Sequence, residues 1–332
     1  MKILVTGVAG FIGFHLTKKL IDKKYDVVGI DSLNSYYDLT LKEARLLRLE
    51  NKHFKFIQTD LAHTEKTKSI FKEEKPSAVI HFAAQAGVRY SITDPHTYLP
   101  NNFTAFLNIL EGCRENNIMH LIYASSSSVY GQNSISPFSE EQNVECPENL
   151  YAASKKSNEL MAYSYANLYK IHCIGLRFFT VYGPWGRPDM AYFKFVKNIL
   201  ENKPIDIYGF GKMYRDFTYI DDIIDGVVKI FEKGPVMYSN KIDVQKETKV
   251  PSQIFNIGNN KPILLNYFVE IIENSLGKKA IKNYKEIQLG DMYETCANIE
   301  KIKSFVDFKP KTPVEIGISK FVDWYKHFYY KG

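Results

Sequence analysis

Tyr151 and Lys155 are the two residues whose types and spacing first suggest chemistry. They lie four residues apart in a stretch with helical periodicity, which places both side chains on one face of a helix. A free tyrosine titrates near ~10 and is a poor base at neutral pH, whereas a cation a few ångströms away favours the phenolate. The pair therefore predicts a tyrosine that acts as general base and acid. A solvated Tyr and Lys pair is the alternative, because this spacing is common in helices.

The amino-terminal segment TGVAGFIG has the glycines of a dinucleotide-binding turn. It follows the apolar run 3–5 and precedes a helical pattern, the order of strand, turn and helix that such a turn requires. The glycines permit the tight turn, the approach of a pyrophosphate and close packing of helix on strand, while the helix amides face the phosphates. The alternative is a glycine-rich turn without a ligand. The predicted cofactor-binding residues of this segment are Gly7, Gly10, Phe11, Ile12 and Gly13.

Asp31 ends the second apolar run, YDVVGID. It lies about 20 residues beyond the glycines, where an acidic side chain binds the adenosine ribose hydroxyls. Ser32 and Leu33 follow, with no arginine to receive a 2′-phosphate. The segment therefore predicts NAD rather than NADP, the alternative being an ordinary turn aspartate.

Composition limits the class of protein. The 332 residues are 45% hydrophobic with a formal charge of +6, which suggests one large or two modest domains and a solvated surface. The sequence has no arginine-rich tract of the kind that binds nucleic acid. No apolar run approaches ~18 residues, the length of a membrane span. The predicted first strand leaves no room for a signal peptide. The four cysteines (Cys113, Cys146, Cys173 and Cys296) lack ligand spacing. We expect a reduced cytoplasmic enzyme that contacts neither membrane nor nucleic acid and holds no metal.

Strand-like and helical runs alternate along the first half of the chain. The apolar runs are 3–5, 26–30, 54–57, 78–82, 120–124 and 172–176. This alternation predicts an α/β fold, a Rossmann-type doubly wound parallel sheet. We assign 1–176, with a return segment at about 216–257, to this domain. A smaller, interleaved carboxyl-terminal substrate-binding domain then comprises 177–215 and 258–332.

Several polar or small residues follow predicted strands and should meet at the carboxyl edge of the sheet, where ligands bind. They are Asp60 and Leu61, Ala83 and Ala84, and the serines 125–128. Three of the four serines could instead satisfy the backbone at a strand end.

Five segments together resemble those of the extended short-chain dehydrogenase/reductases, and within them the nucleotide-sugar epimerases. They are TGVAGFIGFHL, HFAAQAGVRYS, YASSSSVYG, FFTVYGPWGRPDMA and YRDFTYIDDI, and YAASK carries the Tyr and Lys pair. The chain looks most like the UDP-glucuronate 4-epimerases, a similarity that rests mainly on GPWGRPDMA and the serine run. It implies recycled, tightly bound NAD, a UDP-sugar substrate and a homodimer. The dimer would pair the helices near 102–116 and 150–169.

The resemblance also implies residue roles. Tyr151 would be base and acid, Lys155 would lower its pKa and hold the nicotinamide ribose, and Ser126 would share the proton of the sugar 4-hydroxyl. Asp60 and Leu61 would border the adenine, while Ala83, Ala84 and Asn102 would line the NAD path. The substrate-binding set would be Ser127, Ser128, Thr180, Arg187, Arg215 and Asp291. Arg215 is expected at the UDP diphosphate, although a surface ion pair would also explain it, and Arg187 could be an ordinary loop arginine.

Four other functions compete with epimerisation of a UDP-hexuronic acid. Related dehydratases and decarboxylases carry carboxylates where Ser127 and Ser128 stand here, and hydroxyls cannot perform those proton transfers, so both activities are disfavoured. A 4-epimerase of a neutral UDP-sugar, such as UDP-glucose, UDP-galactose or an N-acetylated form, is the nearest alternative. A catalytically silent NAD-binding sensor is disfavoured because the chain keeps Tyr151, Lys155 and Ser126.

Overall fold

The computed structural model describes residues 1–234, 250–288 and 291–330. Parts of two predicted ranges, 216–257 and 258–332, therefore lie outside the described residues, at 235–249, 289–290 and 331–332.

Twelve strands and eleven α-helices occur in the described ranges. The strands are β1 (Lys2–Thr6), β2 (Asp26–Asp31), β3 (Phe54–Gln58), β4 (Ala78–His81), β5 (His120–Ser126), β6 (His172–Phe178), β7 (Thr180–Tyr182), β8 (Ile205–Tyr208), β9 (Tyr214–Tyr219), β10 (Ser252–Ile257), β11 (Pro262–Leu264) and β12 (Lys282–Lys285). The helices are α1 (Phe11–Asp22), α2 (Leu39–Leu47), α3 (Thr64–Glu74), α4 (Tyr90–Thr93), α5 (Ala105–Glu115), α6 (Leu150–Tyr169), α7 (Ala191–Leu200), α8 (Ile220–Lys233), α9 (Leu265–Leu276), α10 (Glu300–Val306) and α11 (Val314–Tyr329).

Seven strands form one parallel sheet in the order β10-β6-β5-β4-β1-β2-β3. Successive β1 residues face opposite sides: Ile3 and Val5 pack into one core cluster and Leu4 into the other. A sheet covered on both faces requires such nearly continuous apolar strands. The predicted Rossmann-type doubly wound sheet is confirmed. Strand order reverses between β1 and β4, which opens the crevice where such sheets bind ligands.

Two smaller sheets lie beside this one. One has the order β11-β9-β7 and the other pairs β12 with β8. The chain leaves the main sheet after β6 and returns with β10, which pairs with β6. Strand β9, most of which falls in the predicted return segment, belongs to a smaller sheet instead. The domain ranges stay a prediction.

Among the described residues, no helix is long and apolar enough to cross a membrane. The same part of the chain contains no cluster of three or more His, Cys, Asp or Glu side chains that could hold a metal ion.

A buried ion pair joins helix α6 to the strands beneath it. Glu159 accepts hydrogen bonds from Nε and Nη2 of Arg177 at 2.8 and 2.9 Å, and from the Ser125 hydroxyl at 2.7 Å. The guanidinium also lies 4.8 Å from the centre of the Tyr130 ring. Helix α6 carries Tyr151 and Lys155, so this pair sets the position of both relative to the end of β5.

Glu159→Gln should destabilise the protein by about 3 kcal/mol, because it leaves the buried Arg177 cation without a counter-charge. The exposed pair of Glu300 and Lys303, 3.1 Å apart, provides the control, and Glu300→Gln should cost less than about 0.5 kcal/mol. Urea unfolding followed by circular dichroism measures both variants. Equal midpoints for the two would contradict a structural role for the buried pair.

Candidate active site

A single cavity of about 890 Å³ reaches from the glycine-rich loop, past Tyr151, to the smaller sheets. It opens at the carboxyl ends of β1, β2, β4 and β5. All but one of the predicted site residues line it: Gly7, Gly10, Phe11, Ile12, Gly13, Asp31, Asp60, Leu61, Ala83, Ala84, Ser126, Ser127, Ser128, Tyr151, Lys155, Thr180, Arg187, Arg215 and Asp291.

The glycine-rich loop leaves no room for side chains at two of its glycines. Gly7 has φ of +76°, and a Cβ there would lie 2.8 Å from the Ala83 amide nitrogen. A Cβ on Gly13 would collide with the Gly7 carbonyl oxygen. Helix α1 begins immediately after Gly10, which offers no side-chain cap, so its first amides remain for an anionic ligand. This cradle fits a pyrophosphate.

Asp31 closes the neighbouring side of the cradle. Its carboxylate accepts hydrogen bonds from the amides of Ala9 at 3.0 Å and Leu33 at 2.9 Å, while still lining the cavity. The Ala9 bond ties the end of β2 to the glycine-rich loop. A carboxylate can accept further bonds beyond these two, so the geometry fits a ribose diol beside a pyrophosphate, as in a dinucleotide.

Asn102 is the predicted residue that does not line the cavity. Its side chain is buried (1% exposed) and its Oδ1 accepts from the Gln85 amide at 2.8 Å. Its Nδ2 donates to the Gln85 carbonyl at 3.0 Å and to the Ser154 hydroxyl at 2.9 Å. Asn102 thus joins the loop after β4 to helix α6. Its side-chain amide bonds to protein groups rather than facing the cavity.

Tyr151 and Lys155 lie on the cavity-facing side of α6, which begins after an Asn149 side-chain cap. The Lys155 ammonium donates to the Ala124 carbonyl at 3.0 Å. Burial lowers the pKa of Lys155 to about 8, because a low-dielectric surrounding disfavours the cation. The group remains protonated at neutral pH.

The pKa of Tyr151 is raised above its ordinary value of 10. Burial is the largest cause, because it disfavours the phenolate. The Ser126 hydroxyl and the Arg187 cation act in the opposite direction, and Asp189 adds to the rise. The four-residue spacing predicts a lowered pKa, which is wrong for the protein alone, since burial outweighs the Ser126 hydrogen bond and the Arg187 charge.

The serine run at the end of β5 divides between two tasks. Ser125 points away from the cavity to Glu159. The Ser126 hydroxyl accepts from the Ser128 amide at 3.1 Å and lies 3.2 Å from the Ser128 hydroxyl, capping the short turn Ser127–Tyr130. Ser126, Ser127 and Ser128 all line the cavity, so three hydroxyls face the space beside Tyr151.

Arg187 lies in the loop between β7 and α7 and forms a two-pronged ion pair with Asp189 through Nε and Nη2. Burial is the largest single influence on its guanidinium and lowers the pKa, but the charge and hydrogen bonds of Asp189, with smaller contributions from Tyr151 and Tyr36, raise the pKa overall. The Tyr36 hydroxyl contacts the same carboxylate at 3.4 Å. In the described part of the chain, Nη1 of Arg187 makes no hydrogen bond, so one edge of the guanidinium is left for a ligand.

Two arginines mark the end of the cavity away from the glycine-rich loop. Arg215 donates to the carbonyls of Tyr214 at 2.8 Å and Tyr293 at 3.2 Å, and burial lowers its pKa. Arg89 lies 3.3 Å from Asp291, and both line the cavity with Arg215, so the predicted substrate residues Arg215 and Asp291 share one end of it with Arg89. The sequence prediction missed Arg89, although the segment HFAAQAGVRYS contains it.

A parallel sheet with a glycine-rich cradle, a ribose-facing carboxylate and a Tyr and Lys pair in one cavity defines a dinucleotide-dependent enzyme that oxidises and reduces a carbinol carbon. The family comparison narrows this class. The chain belongs to the NAD dependent epimerase/dehydratase family, whose model matches residues 3–258. Its cofactor is NAD.

Several relatives match over nearly the whole chain. The chain is 51% identical to Protein CapI of Staphylococcus aureus over 100% of both chains. It is 44% identical to a probable UDP-glucuronate 4-epimerase of Rhizobium meliloti, over 99% of this chain and 98% of the relative. The crystal structure of a Bacillus cereus UDP-glucuronic acid 4-epimerase in complex with UDP-glucuronic acid and NAD matches with a TM-score of 0.88 at 35% identity, covering 99% of this chain and 100% of that one.

Asp31→Asn should weaken NAD binding about 10- to 100-fold, because a bond to a charged acceptor contributes roughly 1.5–3 kcal/mol. Asp26→Asn, at the exposed start of the same strand, is the matched control and should bind NAD like the unaltered protein. Titration of NAD-stripped protein by calorimetry gives both affinities. If the two variants bind NAD equally well, Asp31 does not contact the cofactor.

Proposed function

We propose that this protein converts UDP-glucuronate to UDP-galacturonate by NAD-dependent epimerisation at C4 through a 4-keto intermediate. The observation that supports this most directly is the convergence of Arg187, Thr180, Ser127 and Ser128 on the cavity beside Tyr151. A guanidinium and three hydroxyls have the donors that a sugar carboxylate requires. The similarity to UDP-glucuronate 4-epimerases agrees with this choice.

Tyr151 takes the proton from the sugar 4-hydroxyl, and Ser126 shares it. Bound NAD would accept the hydride from C4 and supply it again to the opposite face, so the net redox change is zero, and its positive nicotinamide would favour the phenolate. Tyr151 returns the proton to the sugar oxygen when the carbonyl is reduced. Burial opposes the phenolate in the protein alone, so the mechanism needs this added positive charge. Lys155, still a cation at neutral pH, adds to that effect and holds the nicotinamide ribose.

The 4-keto sugar must rotate within the site, so that its opposite face meets the cofactor, without leaving the site. Arg215 and Arg89 lie where they can hold the diphosphate, and Asp291 orients Arg89. Binding energy from this remote end retains the intermediate while the sugar ring stays free to rotate.

Oxidation of a uronic acid at C4 creates a β-keto acid, which loses carbon dioxide when its carboxylate bond aligns with the carbonyl π-orbitals. The free edge of Arg187, with the hydroxyls of Ser127, Ser128 and Thr180, holds the carboxylate charged and out of this alignment. Asp189 restrains the guanidinium, so it presents a directed edge rather than a mobile charge. A neutral UDP-sugar epimerase would need no such clamp, and remains the second candidate.

We also infer a homodimer in the cytoplasm. On helix α6, Leu160 and Leu168 are exposed, Leu168 by 65%, and they offer apolar surface to a second copy. Met161 and Tyr165, expected in the same interface, are half-buried within the subunit. All four cysteines are free, which fits a reducing compartment.

Tyr151→Phe should reduce turnover of UDP-glucuronate about 10³-fold, since it removes the general base, while NAD stays bound. NMR of the product sugar measures turnover with UDP-glucuronate and UDP-glucose supplied separately. Tyr163→Phe, at an exposed position of the same helix, should match the unaltered protein. Retained activity in Tyr151→Phe would remove Tyr151 from the mechanism, and conversion of UDP-glucose alone would favour the neutral-sugar candidate.

Arg187→Ala should weaken binding of UDP-glucuronate about 10- to 100-fold, the loss expected for a charge-assisted bond, and spare UDP-glucose. It should also release a decarboxylated sugar nucleotide, visible by NMR as a UDP-pentose. Arg187→Lys keeps the charge but not the fork, so we expect an intermediate result. An equal loss for both substrates would show that Arg187 does not contact the carboxylate.

A further inference from the structure

Arg45, on helix α2, is buried at 0% exposure, and no ion pair joins it to a carboxylate in the described ranges. Its Nη1 donates to the Ala9 carbonyl at 2.7 Å and to the Tyr37 hydroxyl at 2.8 Å. Its Nη2 donates to the carbonyls of Trp185 at 2.6 Å and Gly186 at 3.1 Å. The cation is therefore solvated by neutral oxygens from three separate segments.

Each of these segments belongs to the wall of the cavity. Ala9 lies inside the glycine-rich loop, and its amide is the one that Asp31 holds. Tyr37 lines the cavity from the loop after β2. Gly186 immediately precedes Arg187 in the chain. Arg45 itself does not line the cavity, so it acts on ligands only through the groups it holds.

The loop is closely packed at Gly186. A Cβ on Gly186 would collide with the Tyr192 hydroxyl and lie 2.9 Å from the Gly183 carbonyl oxygen, so the loop is packed at van der Waals contact. Arg45 therefore connects two closely packed backbone segments. One is the glycine-rich loop and the other is the backbone immediately before Arg187.

A buried cation without a counter-charge is costly, and a packed apolar side chain is often an equal or better stabiliser. The guanidinium is moreover incompletely satisfied, because Nε has no partner among the described groups. What a planar fork offers here, and an apolar side chain does not, is simultaneous bonding to carbonyls from distant segments.

We propose that Arg45 is a positioning residue that holds the glycine-rich loop and the Arg187 loop at a set separation, so that cofactor binding and carboxylate recognition depend on one shared support. The part of this inference that concerns the carboxylate rests on the function proposed above. The part that concerns the glycine-rich loop rests only on the bond to Ala9 and on the NAD dependence of the family.

Arg45→Lys and Arg45→Met test the proposal. Lysine keeps the charge and tends to preserve folding, but its single ammonium cannot bridge the same carbonyls. We expect both variants to bind NAD at least 10-fold more weakly, and folded Arg45→Lys to release more decarboxylated product per turnover. Arg114→Lys, at a partly exposed position that does not line the cavity, is the control and should change both readouts less than twofold.

Combination with Arg187→Ala shows whether Arg45 acts through Arg187. The preference for UDP-glucuronate over UDP-glucose, measured as a ratio of dissociation constants, should fall in Arg45→Lys. In the double variant with Arg187→Ala, Arg45→Lys should lower that preference by less than a further twofold. The reason is that two substitutions acting through one group have non-additive effects. Additive losses would overturn the connection to Arg187.

If Arg45 only stabilises the fold, its variants should change the unfolding temperature and not ligand binding. Thermal unfolding would then occur at lower temperature, while NAD affinity and product ratio, measured well below unfolding, would stay unchanged; that result overturns the proposal. If the unaltered protein fails to convert UDP-glucuronate, the proposed function fails, and NAD affinity still decides whether Arg45 supports the glycine-rich loop.

Discussion

The approach of the glycine-rich loop to the end of β4 is the constraint on which the active site depends. Gly7 lies against the Ala83 backbone and Gly13 against Gly7, so helix α1 can begin directly at the edge of the sheet. This contact places helix amides and the Asp31 carboxylate on one rim of the cavity. A side chain at either glycine would move the helix outward and separate the phosphate cradle from the catalytic tyrosine.

The active site also depends on the burial of ionisable side chains at the opposite rim of the cavity. Lys155, Arg187 and Tyr151 all lie in low-dielectric surroundings, and each responds according to its neighbours. Lys155 has only a carbonyl and its pKa falls, whereas Asp189 keeps Arg187 fully charged. Tyr151 stays neutral in the protein alone. Burial therefore opposes the phenolate in the protein alone, and the proposed mechanism needs the positive charge of a bound cofactor to favour it.

The proposed catalytic pair and the proposed carboxylate-binding residues come from different parts of the fold. Tyr151 and Lys155 lie on helix α6, which packs against the main sheet. Thr180 and Arg187 come from segments that follow β6, and Arg45 joins the backbone before Arg187 to the glycine-rich loop. The residues proposed for substrate choice therefore lie outside the main sheet, but the loop of one of them is bonded to the glycine-rich loop.

Local patterns in the sequence determined the alternation of strands and helices, the glycine-rich turn, Asp31 at the end of β2, and the shared face of Tyr151 and Lys155. Each depends on spacings of a few residues, which backbone geometry converts directly into position. Only the tertiary structure decided that Asn102 serves protein partners, that Arg89 meets Asp291, that Arg45 joins two loops, and that the pKa of Tyr151 rises. Those outcomes depend on burial and on groups as many as 202 residues apart in the chain, and no local pattern specifies which distant segments will exclude water from a given side chain.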